Sequence, residues 1–280
     1  MKILVTGGSG YLGNHVCKYF NAIDYSRRKG LDLLNEESLR NSLDGVDVVI
    51  HMAGATKGSN EELFRNNVDG PFNLLNIIAS MKKKPVFLFS SSKEVYGINS
   101  DNLLDVSKGY SNDIGKYNFY GATKLFAEQL ITSYALNYGF RAGIFRMSTV
   151  YAPHLKGTNP GLVSRFFNMV RDGEKICLKS NGKQVRDPLF ISDLNELFDK
   201  FIKSDINFGV YDVGGGKENA ISLLDLVRLI ESCCNKKANL VLDETETSDQ
   251  MTYVSNISKL EKELGWKPSV SIKQGITMLI

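Results

Sequence analysis

The sequence predicts an α/β fold: a doubly wound parallel sheet followed by a smaller C-terminal α/β lobe. Three observations predict it. Apolar runs of strand length alternate with amphipathic stretches through the first half. The first run, Met1-Lys2-Ile3-Leu4-Val5, leads directly into the glycine-rich turn Thr6-Gly7-Gly8-Ser9-Gly10-Tyr11-Leu12-Gly13. After about residue 152 the alternation loosens and is broken by Pro153 and Gly157-Thr158-Asn159-Pro160-Gly161. The expected division is therefore 1–152 and 153–280, the second part partly interleaved with the first.

In chain order, the expected strands of the first part are Lys2–Thr6, Ala22–Ser26, Asp47–Met52, Val86–Ser90 and Arg141–Arg146. Each is a short apolar run, as strands covered on both faces require. Amphipathic stretches between them predict helices over Leu12–Phe20, Glu36–Leu43, Glu61–Met81 and Phe119–Tyr138. In the second part, helices are expected over Leu162–Arg171, Asp193–Ile202, Ile221–Cys234 and Ile257–Leu264. Short strands are expected at Lys175–Lys179, Tyr211–Val213 and Leu240–Leu242. The polar segment Asn99–Lys116 reads as a long loop, either a lid beside a catalytic strand or a solvated connection.

A chain of 280 residues holds one large α/β domain or a large and a small lobe. Its 42% hydrophobic and 23% charged residues are those of a soluble globular protein. A net charge of +3 is too small to argue for nucleic acid or an anionic membrane. Neither a signal peptide nor a membrane span is expected. Cys17, Cys177, Cys233 and Cys234 lack metal-ligand spacing and any disulfide framework, and His15, His51 and His154 are scattered. A reduced, cytoplasmic protein without a metal site is the expectation.

The opening turn is how a chain holds a pyrophosphate. Small residues let the backbone approach the anion, and the following helix points free N–H groups and its positive dipole end at it. Position at the end of an apolar strand makes the glycine spacing credible, against a strand–turn–helix that binds nothing. Gly7, Gly10, Tyr11, Leu12 and Gly13 are thus cofactor-binding candidates in a Rossmann-type sheet.

Tyr120 and Lys124 are four residues apart at the start of a helix and share a face. A neighbouring ammonium favours the phenolate, so Tyr120 is expected to titrate nearer neutrality than a free phenol. Alone, this spacing also suits a surface helix. Upstream, the strand Val86-Phe87-Leu88-Phe89 ends in Ser90-Ser91-Ser92-Lys93-Glu94-Val95-Tyr96-Gly97. A hydroxyl there can bond the same substrate oxygen that Tyr120 protonates or deprotonates.

Over nearly its whole length the chain resembles the extended short-chain dehydrogenase/reductases of the nucleotide-sugar epimerase/dehydratase family. The opening turn matches the family's TGGxGxxG, and His51-Met52-Ala53-Gly54 resembles its HxAA. Asn67-Val68-Asp69-Gly70 with Asn73-Leu74-Leu75 resembles NVxGTxNLL, and Ser91 to Gly97 resembles SSxxVYG. Tyr120 and Lys124 fall on YxxxK, and Arg146 to Pro153 on RxxNVYGP. Asn181 to Asp187 resembles GxGxQxRD, and Leu264 to Pro268 the closing LGWxP.

The resemblance implies that Tyr120 is the acid/base and that Ser92 polarises the reacting oxygen. Lys124 then binds the nicotinamide ribose and tunes Tyr120. It implies cofactor contacts from Met52, Ala53, Gly54 and Asn67, and substrate contacts from Ser92, Lys93, Glu94, Thr149 and Arg186. Arg186 is expected on the substrate diphosphate, where a bidentate guanidinium suits the anion; an ion pair with Asp187 or another carboxylate is the alternative. Departures from the pattern are Thr149 for Asn, Ala152 for Gly, Gly54 for Ala, and Asn118-Phe119 ahead of Tyr120. Relatives commonly dimerise through the helices equivalent to Glu61–Met81 and Phe119–Tyr138, so a homodimer is expected.

Ten residues separate Gly13 from Asp24, a short first crossover. An acidic residue closing the second strand binds the ribose hydroxyls of NAD, and Asp24 is the candidate. Ser26-Arg27-Arg28-Lys29 follows at once, and cations there suit the 2′-phosphate of NADP. Ser26 to Asn35 also resembles the corresponding segment of an NADPH-using member of the family, with Asp32 and Leu33 toward the adenine. NADP(H) is therefore favoured, with NAD the alternative.

Three reactions compete: C4 epimerisation with retained NAD, 4,6-dehydration, and reduction of a 4-keto-6-deoxy sugar with NADPH. Dehydration needs an additional acid and base from the two residues after the catalytic hydroxyl. Glu94 is a candidate base, but Lys93 stands where dehydratases carry an acid. The expectation is a reductase serving polysaccharide synthesis, with an epimerase as the alternative.

Overall fold

The computed structural model describes residues 1–97, 118–246 and 249–280, which form two compact units. The first holds residues 1–97, 118–146 and 197–211; the second holds 147–196, 212–246 and 249–280. The segment Asn99–Lys116 lies outside the described residues.

The first unit is built on β1 (Ile3–Thr6), β2 (Ile23–Tyr25), β3 (Val48–His51), β4 (Val86–Ser92) and β5 (Ala142–Met147). With β10 (Phe208–Val213) they make a six-stranded sheet in the order β10-β5-β4-β3-β1-β2. β1 and β3 are buried along their whole length, as their unbroken apolar runs require. β1 pairs in parallel with β2 and β3, and β3 with β4. In that register Thr6 lies opposite both Tyr25 and His51, and His51 opposite Phe89. The carboxyl ends of β1, β2 and β3 therefore finish level, and β4 runs three residues beyond them to Ser92. Ligands of open parallel sheets bind at that edge.

Helices α1 (Tyr11–Phe20), α2 (Glu36–Ser42), α3 (Asn60–Phe64), α4 (Gly70–Ser80) and α5 (Phe119–Tyr138) complete the crossovers. Leu39, Leu74, Leu75, Ile78, Phe87, Phe89, Ala127 and Ile131 belong to one core cluster. The helix expected over Glu61–Met81 is divided. Ser59 and Glu62 form a capping box on α3, Arg65–Asp69 makes a π-helical turn, and α4 restarts with Pro71 in its first turn. Apolar periodicity runs through all three pieces, so it does not mark the bulge. The strand expected at Tyr211–Val213 in the second part is longer and forms the edge of the main sheet.

The second unit contains β6 (Val150–Tyr151), α6 (Leu162–Asp172), β7 (Lys175–Leu178), β8 (Val185–Arg186) and β9 (Leu189–Phe190). It continues with α7 (Ile191–Lys203, shared with the first unit), β11 (Ile221–Ser222), α8 (Leu223–Cys234), β12 (Asn239–Leu242), α9 (Ser258–Leu264) and α10 (Ile272–Thr277). Its strands pair two by two, β6 with β9, β7 with β12 and β8 with β11. Two buried carboxylates fasten these short elements. Asp193 accepts from Ser269 Oγ at 2.6 Å and Val270 N at 3.0 Å, while its carbonyl accepts from Trp266 Nε1 at 3.0 Å. Asp187 accepts from Ser148 Oγ at 2.6 Å, Ser255 N at 3.0 Å and Gly216 N at 3.2 Å. Burial nonetheless raises its carboxyl to about 6. Among the described residues no helix is long and apolar enough to cross a membrane.

Candidate active site

The glycine turn closes tightly. Gly7 takes a left-handed φ of +71°, and a Cβ on it would stand 2.8 Å from both Cα and N of Ala53. Its carbonyl accepts from Gly10 N at 2.9 Å, and a Cβ on Gly13 would collide with that same carbonyl oxygen. α1 starts at Gly10 with no side-chain cap and no acidic residue in its first turn. Its dipole end therefore faces the turn without a counter-charge from its own sequence.

A cleft of 370 Å³ opens beside this turn, within the range of small-molecule sites. Its walls include Gly7, Ser9, Gly10, Ser26, Arg27, Arg28, Asp32, Leu33, Met52, Ala53 and Gly54. All in that set but Ser9 are sequence candidates; eight come from β-strand ends or the segments just after them, and Asp32 and Leu33 join them from further along the β2 connection. Tyr11, Leu12 and Gly13 begin α1 behind the turn and are not on the cleft wall. Tyr25, Leu31, Leu34, Arg65, Asn66 and Gly70 also line it and escaped the sequence reading. The last three come from the π turn and the residue after it, a feature common at functional sites but without a sequence signal of its own.

Two expected cofactor contacts stand off the cleft wall. Asp24 does not line the cleft: its Oδ2 accepts from Ser9 Oγ at 2.5 Å, and Ser26 Oγ donates to Ser9 Oγ at 2.8 Å. A Cβ on Gly8 would stand 2.5 Å from both Asp24 Oδ1 and Cys17 Sγ, so the carboxylate is packed under the turn. Ser26, two residues on and on the same strand face, takes the cleft position. Asn67 is an internal brace. Its Oδ1 accepts from Ala55 N at 2.8 Å, and its Nδ2 donates to Ala55 O at 2.9 Å and Thr123 Oγ1 at 3.0 Å. It shapes the Ala53–Ala55 segment from behind.

The chemistry-bearing side chains meet at the end of β4. Each serine there has a separate partner. Ser90 Oγ donates to His51 O at 2.9 Å, and the Ser90 carbonyl accepts from Lys124 Nζ at 2.9 Å. Ser91 Oγ donates to Glu128 Oε1 at 2.5 Å. Ser92 is hydrogen-bonded to the Tyr120 phenol, and its Oγ accepts from Glu94 N at 3.2 Å. Asn118 caps α5 by accepting from Gly121 N at 2.7 Å, which sets the helix start that carries Tyr120. A Cβ on Gly121 would collide with Glu94 O, so glycine at that position lets the helix start approach the strand end.

Tyr120 departs from expectation. Burial pushes its phenol up to about 12; the Ser92 hydrogen bond offsets part of this, and the Glu94 charge adds to it. Lys124 is buried, packs 4.7 Å over the Phe89 ring, and is drawn down to about 8 by burial against the attraction of Glu128. Desolvation thus dominates both groups. His51 is also buried and held neutral near 3, with Thr6 Oγ1 at 2.7 Å from Nδ1.

Glu94 is engaged through both carboxylate oxygens, by Lys93 Nζ at 2.6 Å and Asn118 Nδ2 at 2.8 Å. Thr149 and Arg186 belong to the second unit. There Arg186 is buried, donating to Val185 O and to Asp249 Oδ2, each at 2.7 Å. Its carboxylate partner is Asp249, and Asp187 serves as the clamp described above. Among the described residues no group of acidic, histidine and cysteine side chains could hold a metal ion.

The glycine cradle, the uncapped helix start and the adjoining cleft fit a dinucleotide; Ser92, Tyr120 and Lys124 are not on the cleft wall itself. Comparison with known proteins identifies the family. Residues 3–214 match the family described as "NAD dependent epimerase/dehydratase family". CDP-paratose 2-epimerase of Salmonella typhi is 28% identical, covering 99% of this chain and 97% of that protein. UDP-glucuronic acid decarboxylase 2 of Arabidopsis thaliana is 24% identical, covering 100% and 67%. The crystal structure of UDP-glucuronic acid 4-epimerase from Bacillus cereus, in complex with UDP-glucuronic acid and NAD, superposes with a TM-score of 0.82 at 25% identity over 99% of this chain and 96% of that one. The chain belongs to the NAD dependent epimerase/dehydratase family of extended short-chain dehydrogenases.

Proposed function

We propose that this enzyme exchanges hydride at a hydroxyl-bearing carbon of a nucleotide-linked sugar, with Tyr120 as acid/base. The observation that carries the reading is Lys124 held at 2.9 Å on the Ser90 carbonyl near the end of β4, where Ser92 lies, on the helix face that also carries Tyr120. Gly7, Gly10, Met52, Ala53 and Gly54 would hold the dinucleotide, and Lys124 its nicotinamide ribose. When bound, the nicotinamide gives or takes the hydride. In the reducing direction Tyr120 donates its phenolic proton to the substrate oxygen while Ser92 holds that oxygen. In the oxidising direction the proton returns to Tyr120, and the Lys124 charge stabilises the phenolate between steps. Thr149 and Arg186 are substrate candidates, Arg186 exchanging Asp249 for a diphosphate.

The finer reading is net reduction of a 4-keto sugar with NADPH. It rests on Ser26, Arg27 and Arg28 at the cleft edge and on Asp24 being tied up beneath the turn. Glu94, bound on both oxygens, argues against elimination. C4 epimerisation with retained NAD is the second reading, favoured by the epimerases among the relatives. A polysaccharide precursor is the proposed product, and four free thiols suit a cytoplasmic setting.

The test is to identify the dinucleotide released from denatured protein, then to assay nucleotide-linked keto sugars with NADPH and NADH. NADPH consumption is expected, with the NADPH:NADH preference of Arg28→Ala reduced at least about tenfold, equivalent to the loss of one charge-assisted contact. Released NAD with epimer interconversion, no cofactor being added, selects the second reading. Absence of both activities would sink the family-level chemistry.

A homodimer is proposed through α4 and α5. These helices meet at Tyr134 Oη, 2.6 Å from Asn76 Oδ1, and expose Phe72, Phe126, Leu136 and Tyr138. Sedimentation is expected to show a dimer that Phe126→Glu with Leu136→Lys converts to monomer; a monomeric parent protein refutes it.

A further inference from the structure

Beneath the catalytic groups lies an ion pair to which the reaction assigns no part. Glu128 on α5 and Arg146 on β5 are 1% and 4% exposed. Arg146 Nη2 donates to Glu128 Oε2 at 2.7 Å, and Nε donates to Oε1 at 3.1 Å. The remaining arm, Nη1, donates to Tyr96 Oη at 2.9 Å, and the guanidinium lies 4.9 Å over the Tyr96 ring. Glu128 Oε1 also accepts from Ser91, the residue before Ser92. One carboxylate thus links α5, the end of β4 and β5, and through Arg146 reaches the short helical turn Lys93–Tyr96.

Its placement on α5 is equally specific. Tyr120, Lys124 and Glu128 recur every four residues and share one helix face. A buried ion pair contributes little net stability relative to apolar residues of equal volume, because desolvating both charges cancels most of their attraction. Pure scaffolding would be served as well by leucine and methionine. What those residues cannot supply is a negative charge behind Lys124 and an acceptor for Ser91.

We propose that Glu128 is a positioning residue for hydride exchange: its carboxylate fixes the strand end that presents Ser92 and supplies the counter-charge behind the Lys124 ammonium. The assignment rests on the reading that Ser92 and Lys124 serve the reaction. Among the described residues, the titratable groups around Lys124 include Glu128 and Tyr120 on its own helix and His51 at the end of β3; β4 contributes the Ser90 carbonyl and the Phe89 face. Arg146 on β5 reaches Lys124 only through Glu128, whose attraction supports the ammonium against burial. His51, held neutral, does not oppose it.

The decisive variant removes both charges and keeps the volume, Glu128→Leu with Arg146→Met. Ser91→Ala is its companion, retaining the charge and losing one hydrogen bond. Lys124 is followed by ¹⁵N NMR titration of its side chain in the free protein, which needs no substrate. In the parent protein burial is expected to bring the Lys124 titration down to about 8. The double variant is expected to fold, to titrate about one pH unit lower, and to lose about ten- to a hundredfold in kcat with little change in KM. Ser91→Ala is expected to lower kcat without moving the titration. A folded double variant with unchanged titration and unchanged kcat overturns the proposal. If the double variant does not fold, an unchanged kcat in Ser91→Ala refutes the strand-end role, and an unchanged Lys124 titration in Glu128→Gln refutes the charge role. A shifted titration in a parent protein inactive on every nucleotide sugar leaves the electrostatic coupling standing and removes the catalytic reading instead.

Discussion

Tyr120→Phe lowers kcat by about 10²–10⁴-fold, the range for loss of a positioned general acid. Dinucleotide affinity stays within a few-fold, because the phenol is engaged by Ser92 and the cleft walls are untouched. The same enzyme gives an unusual pH profile. Its phenol stays protonated up to about 12, so the proton needed for reduction is in place at every physiological pH. Lys124 is a base drawn down to about 8: it is charged below that value and neutral above it. Reduction is therefore flat through neutrality and declines above about pH 8 as the ammonium disappears. Stopped-flow rates against pH check the limb, and absorbance of tyrosinate at alkaline pH locates Tyr120. A Tyr120→Phe enzyme keeping more than a tenth of the parent kcat would remove the phenol from the mechanism.

The second large effect is expected from a single methyl group. In Gly13→Ala the new Cβ meets the Gly7 carbonyl oxygen and lies 3.2 Å from Gly8 Cα. Neither contact is a flexible side-chain end, so α1 must move away from the turn. Overpacking of this kind costs about 1–3 kcal/mol. Because displacement of α1 takes its dipole end off the pyrophosphate, dinucleotide affinity should fall by up to about a hundredfold, the upper end of that cost. Titration calorimetry with NADPH and NAD measures it, beside urea unfolding to record the stability loss. Gly139→Ala is the control: its left-handed φ of +67° makes alanine strained there too, but Gly139 is not on the cleft wall, so stability is expected to fall while affinity holds. Equal affinities in Gly13→Ala and the parent protein would mean that the dinucleotide is held elsewhere.

The local chemistry of the turn was legible because it is imposed by short-range sterics. Gly7, Gly10 and Gly13 sit where the chain must reverse and nothing larger fits, and the apolar run before them must be a buried strand. The ends of β1 to β5 were read within a residue or two for the same reason. Ser92, Tyr120 and Lys124 were singled out by their resemblance to the family's motifs, and the fold brings Lys124 to the end of β4 that carries Ser92.

What lay beyond the sequence were outcomes decided by neighbours distant along the chain. Asp24 and Ser26 are two residues apart and face the same way. Which of them meets the cleft depends on how far the short α1 crossover pulls β2 under the turn. Asn67 bears amide atoms suited to a ligand, yet Ala55 and Thr123 consume them. Periodicity hid the π turn, since an added residue in a helix leaves its apolar pattern nearly intact. Tyr120 shows the same division: sequence set it beside an ammonium, while burial, which is a sum over the whole fold, set its proton affinity. Sequence by itself determined the sheet and the glycine turn and nominated the candidate reacting groups, because strand, turn and helix rules act over a few residues. Tertiary structure alone decided which polar atoms face the cleft and which charges survive burial, because desolvation and hydrogen-bond competition are settled only when distant segments meet.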